Sequence, residues 1–183
     1  IARFECSNEL FNRIQQLCLN TFVANTVAVQ SDCPHRERFG YGGDIVATSE
    51  TFLMNYDMNG FYTKTLRDWG DAQLENGLMP DTAPYAGVKY CGVGWGMVHP
   101  LLIEQLYQHY GNKELLEEQL PTALEWIKAE ANRRKDALVM VGLGDHEAML
   151  PGDQKKGPEL KTPKFIDSCK RIARLARIIG EEA

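Results

Sequence analysis

Apolar residues recur at helical spacing over most of this chain, and its charged and aromatic side chains gather where that spacing stops. Leu10, Phe11, Ile14, Leu17, Cys18 and Phe22 share one face of a 3.6-residue period and predict a helix over residues 7–24, N-capped by Ser7. Residues 26–29 read as a short extended piece. A second helix is predicted over 44–54, with Ile45, Thr48, Phe52 and Leu53 on one side. Asn59 and Gly60 then interrupt, before a third helix over 61–72 carrying Leu66 and Trp69. From 75 to 96 the period is lost among glycines and prolines, which is turn chemistry at a length usually reserved for function. Helix resumes over 99–110, with Pro100 tolerated in the first turn and Gly111 as a stop. A short helix over 113–120 is followed by another that starts at Pro121 and reaches about Arg134. Residues 138–144 read as a brief β-like run, and a polar loop follows to about 161. The last helix, 163–179, aligns Phe165, Cys169, Ile172, Ala173, Ala176 and Ile179, and Gly180 ends it.

About seven helices with little strand predict an all-α domain of antiparallel helix pairs, its functional loops gathered at one end. At 183 residues, the expectation is a single domain spanning 1–183 with a real core. A net charge of −5 without a basic cluster argues against nucleic acid as a partner and against an anionic membrane surface. No apolar run approaches membrane-spanning length. The five cysteines are odd in number, scattered and without a CxxC pair, so neither a disulfide framework nor a structural zinc site is expected. Cys18 and Cys169 fall on apolar helix faces and read as buried small hydrophobes. The chain starts with Ile, and its last helix runs into Glu181-Glu182-Ala183 with nothing to close the assembly; both features suggest a segment of a longer protein.

The densest chemistry lies in Asp32-Cys33-Pro34-His35-Arg36-Glu37-Arg38-Phe39-Gly40-Tyr41-Gly42-Gly43-Asp44, a run that Pro34 and its glycines keep from being one helix. Together with residues 81–95 and 144–148 it places carboxylates beside aromatic or imidazole rings. That mixture suits a sugar: rings stack on the apolar faces of a pyranose, while carboxylates and arginine bond its hydroxyls. Glycosidic cleavage also needs a carboxylic acid for the leaving oxygen and a carboxylate that attacks or activates water. Glu37 is flanked by Arg36 and Arg38, so acting as the acid requires a compensating carboxylate field, available from Asp32 and Asp44. Cys33 and His35 match no strong zinc spacing and have no clear partner as a nucleophile. His146, between Asp145 and Glu147, can be read as a base, a ligand or a surface residue. Trp69 and Trp126 sit at helical spacing and read as core, whereas Trp95, between Gly94 and Gly96, reads as a binding platform.

These motifs carry a resemblance. The run from Asp32 to Asp44 resembles the signature loop of family 78 glycoside hydrolases, the α-L-rhamnosidases. Agreement continues in Trp69-Gly70-Asp71-Ala72-Gln73, Asn76-Gly77, Pro80, Gly94-Trp95-Gly96, Tyr110-Gly111 and Gly142-Leu143-Gly144-Asp145. The resemblance implies an (α/α)6 toroid, present here as a partial toroid, and inverting hydrolysis of terminal α-L-rhamnosyl residues without a cofactor or metal. It implies that Glu37 is the general acid and that Asp32, Arg36 and Asp44 contact rhamnose hydroxyls. Tyr41 stands where the family commonly has a stacking tryptophan, and Trp95 on another pocket aromatic. His146 takes the tryptophan's place in Gly-Asp-Trp, and Met97 stands where an aspartate often follows Trp-Gly. The family's general base is a glutamate far downstream, so the implied partners are a rhamnose-containing substrate and the remainder of the catalytic domain. The chain by itself is expected to be inactive. Competing readings are a non-catalytic helical sugar-binding module and a toroid glycosidase for another deoxy or uronic sugar.

Overall fold

The computed structural model describes residues 2–144 and 157–180. Within them lie α1 (Glu9–Asn25), β1 (Thr26–Val27), β2 (Val29–Gln30), α2 (Gly42–Asn55), α3 (Asn59–Asp71), α4 (Val93–Gly96), α5 (Val98–Tyr110), α6 (Lys113–Asn132) and α7 (Pro158–Ile179). The two strands form a tight antiparallel hairpin in which Thr26 pairs with Gln30, turned at Ala28 with φ of 64°. α5 is the central element: it packs against α2, α3, α6 and α7, and every residue from Val98 to Leu106 is buried. Trp69 from α3 and Trp126 from α6 are fully enclosed in the same core, as their helical spacing predicts.

Packing explains three departures from the sequence reading. Lys113–Asn132 form one helix rather than two, with Pro121 inside it. Pro121 removes one backbone donor, but Leu116, Leu120, Ala123 and Trp126 on either side are buried in one core, which outweighs the local cost. α7 begins at Pro158, where a missing N–H is harmless, and absorbs Pro163 five residues later. Residues 138–144 form no strand: the backbone makes an isolated Lys135–Leu138 bridge, Val139 alone of the seven is buried, and its N–H donates to the Thr162 hydroxyl.

The first helix departs most. Its N-cap is Asn8, whose side chain accepts from the Leu10 N–H, one residue after the predicted Ser7. None of its residues is buried, and Leu10, Phe11, Ile14, Leu17 and Val23 are 45–65% exposed. Cys18, expected inside, is exposed, and Cys169 is half-buried. The apolar stripe is present in the sequence, but no described element covers it. Phe22 is the residue of α1 that reaches the core, its ring 4.2 Å from that of Phe52.

Candidate active site

The charged run lies between the β-hairpin and α2, and buried polar contacts hold both ends. Gln30 accepts from the Tyr62 hydroxyl at 2.7 Å and donates to Thr48 at 2.7 Å, tying the hairpin to α3 and α2. The loop then closes on itself: Asp32 N–H donates to the Phe39 carbonyl at 3.1 Å, and Phe39 N–H donates to the Asp32 carboxylate at 3.0 Å. Arg38 turns the chain with φ of 60° and donates to the His35 carbonyl. Inside this ring the Glu37 N–H donates to Cys33 Sγ at 3.2 Å. A carboxylate oxygen of Asp32, one of Glu37 and Cys33 Sγ all lie within 4.8 Å of one another.

A second strap forms the opposite wall. Asp81, 1% exposed, accepts the N–H groups of Tyr90 and Cys91 at 2.6 and 2.8 Å, and its carbonyl accepts from Gly42. One buried carboxylate thus ties the Tyr90 loop to the start of α2. Glycines are required where these straps meet. A Cβ at Gly42 would stand 2.4 Å from the Trp95 carbonyl, and one at Gly43 would stand 2.6 Å from the Trp95 indole. Trp95 therefore lies directly on the first turn of α2.

The result is a cleft of about 720 Å³, the size of a small-ligand site. Asp32, Arg36, Glu37, Tyr41, Asp44 and Trp95 all line it. They come from the charged loop, the cap and first turn of α2, and α4. His146 lies outside the described residues. Glu37 keeps 42% of its side chain exposed, beside Arg36 at 3.6 Å.

A profile of the bacterial alpha-L-rhamnosidase 6 hairpin glycosidase domain matches residues 1–183. The chain belongs to that family. The α-L-rhamnosidase of Streptomyces avermitilis is 30% identical to it over 182 residues, which cover 98% of this chain and 18% of that enzyme. An α-L-rhamnosidase of Formosa agariphila is 30% identical over 154 residues, covering 78% of this chain and 16% of the enzyme. Among solved structures, the α-L-rhamnosidase from Dictyoglumus thermophilum superposes with a TM-score of 0.89 at 32% identity, over 98% of this chain and 21% of that one. The S. avermitilis α-L-rhamnosidase complexed with L-rhamnose gives 0.88 at 28% identity, over 98% and 18%. This rhamnosidase-family chain therefore spans about a fifth of the length of these relatives, and its helices match part of their six-hairpin toroid.

The electrostatics of the family's signature loop follow from its hydrogen bonds. Partial burial raises the Asp32 pKa, but hydrogen bonds with the Cys33 thiol, the Phe39 N–H, the Glu37 side chain and the Cys33 N–H outweigh it and leave Asp32 below the ordinary carboxylate range. Asp32 is therefore held in its ionised form beside Glu37. The Tyr41 phenol is pushed up to about 12, first by burial and then by the negative field of Glu37 and nearby groups, so it stays neutral. Burial, aided by Asp81, raises the Cys91 thiol far above its usual range, which makes it a poor nucleophile.

Two cleft residues escaped the sequence reading as candidates. Tyr90 lay among the loop aromatics without a distinguishing neighbour, and its placement depends on Asp81, nine residues away. Lys164 comes from α7 and stands with Nζ 5.9 Å from the centre of the Trp95 ring. At helical spacing it reads as one more surface lysine, and only the fold brings it to Trp95.

Proposed function

We propose that this chain supplies the acid half of an inverting α-L-rhamnoside hydrolase. The observation that carries the reading is the convergence of Asp32, Arg36, Glu37, Tyr41, Asp44 and Trp95 on one sugar-sized cleft. Glu37 protonates the glycosidic oxygen as the bond to C1 lengthens. Asp32, Arg36 and Asp44 hold the sugar hydroxyls while positive charge builds on the ring, and Tyr41 and Trp95 pack against its apolar faces, with His146 completing the binding set. A second carboxylate takes a proton from water attacking C1 on the opposite face. Asp32 is unsuited to that last task. Its carboxylate contacts Glu37, whereas an inverting pair stands roughly 6.5–9.5 Å apart with water between. The base is therefore assigned to the remainder of the parent catalytic domain, and the 183-residue chain alone is inactive. The uncovered apolar face of α1 is the surface offered to that remainder.

The test is turnover of an aryl α-L-rhamnoside by the parent protein. Rhamnose should be released first as the β-anomer by proton NMR, and Glu37→Gln should lower kcat by roughly 10²–10⁴. Turnover by the isolated chain, or an unaffected Glu37→Gln parent, sinks this assignment. A second reading, hydrolysis of an acidic sugar, is favoured by Lys164, which adds a second cation to the cleft beside Trp95. Assaying the parent against a panel of aryl rhamnosides and uronides separates the two.

A further inference from the structure

Cys33 makes contacts that the hydrolytic scheme does not use. It is half-buried between Asp32 and Pro34, at the point where the signature loop turns back. Its sulfur receives the Glu37 N–H at 3.2 Å, and Sγ lies within 4.8 Å of carboxylate oxygens of both Asp32 and Glu37. A hydroxyl or thiol can serve as acceptor and donor at once; alanine can do neither.

We propose that Cys33 is the positioning residue of the acid loop: its sulfur accepts the Glu37 N–H while its S–H donates to the Asp32 carboxylate, locking the two carboxyl groups into one register. The geometry stands whatever the loop is for, and its importance for catalysis rests on the function proposed above. Sulfur is suited to the place because its hydrogen bonds are long, so a single atom spans a gap that a shorter Ser hydroxyl fills with some adjustment of the loop. The thiol needs no oxidant and forms no covalent bond with substrate. It acts on the acid only through Asp32 and the Glu37 backbone, and so is not a catalytic residue.

The test reads the Asp32 carboxyl directly, by carbon NMR titration of the 183-residue chain. The titratable and charged groups that line the cleft with Asp32 are Arg36, Glu37, Tyr41, Asp44, Tyr90, Cys91 and Lys164. These groups are unchanged in every variant used. Loss of one hydrogen bond to a charged acceptor should raise the Asp32 midpoint by about one pH unit in Cys33→Ala. Cys33→Ser should return it most of the way, and the Glu37 amide should exchange faster in Cys33→Ala than in either other form. An unchanged midpoint in Cys33→Ala, or a Cys33→Ser chain that behaves like Cys33→Ala, overturns the proposal. If Cys33→Ala does not fold, capping Cys33 of the folded wild-type chain with methyl methanethiosulfonate, with peptide mass spectrometry confirming that Cys33 is modified and Cys91 is not, removes the same donor. Asp32 should then titrate higher, and no change overturns the proposal. None of these readouts depends on turnover. A parent that hydrolyses no rhamnoside would sink the function and leave the Cys33 tie standing.

Discussion

At the residue scale, the site depends on buried groups that never face the cleft. Asp81 is the clearest case. Removing its side chain in Asp81→Ala would leave the Tyr90 and Cys91 N–H groups without their acceptor, each at roughly 1–3 kcal/mol. Denaturant unfolding should show that loss, and in the parent the apparent affinity for rhamnoside should fall with it, because Tyr90 lines the pocket. Gly43→Ala is the complementary test. Its methyl would collide with the Trp95 indole, so a shifted Trp95 and weakened sugar binding are expected with little change in the charged loop. His99 gives a pH signature. It is fully enclosed, with Nε2 against Gln119 at 3.0 Å, and burial depresses its pKa to about 4. The folded state keeps it neutral while the unfolded chain protonates it below about 6.5. The unfolded state therefore binds more protons between these values, and stability falls as pH drops through that window, by up to roughly 3 kcal/mol. Unfolding measured from pH 7 to 4 should show this slope in the wild type and a shallower one in His99→Gln.

At the element scale, the informative cases are those where tertiary contacts override a local signal. Pro121 normally marks a helix start, yet α6 runs through it because both halves bury residues in the same core. Pro121→Ala should stabilise the chain by an amount up to the roughly 3 kcal/mol intrinsic penalty of an interior proline, less whatever the local bend relieves. A thermal melt that falls instead would mean that the proline's shape is used in packing. α7 adds a second kind of information: it joins α5 through Glu104, a buried carboxylate paired with both Arg171 and Arg174, and at its other end it delivers Lys164 to the cleft. The ion-pair cluster and the cleft lysine thus share one helix. Helical periodicity identifies that helix correctly but says nothing about which of its cations turns inward.

At the scale of the whole molecule, the chain has a finished core and an unfinished side. α2, α3, α5, α6 and α7 enclose the two tryptophans, whereas α1 carries an apolar stripe that is largely in solvent. Leu17, 65% exposed, separates the possibilities. Leu17→Ala should change the stability of the 183-residue chain by less than about 0.5 kcal/mol, as at any exposed site. In the parent, if the rest of the toroid covers this face, the same substitution should cost about 2–5 kcal/mol. Equal small effects in both would mean that α1 stays open to solvent in the larger protein.

What was legible in the sequence was whatever depends on near neighbours. Helical periodicity located α1, α2, α3 and α5 to within a few residues, because an amphipathic face is a local pattern. The signature from Asp32 to Asp44 pointed to the right family and to five residues that share one cleft, because those residues sit in one loop and the helix it feeds. What the tertiary structure decided involves partners far apart along the chain. The continuity of α6, the burial of Asp81 beneath the Tyr90 strap, the arrival of Lys164 beside Trp95 and the exposure of α1 all depend on which surfaces meet. A one-dimensional pattern shows that a face is apolar or that a group is charged; only the packed chain determines what, if anything, lies against it.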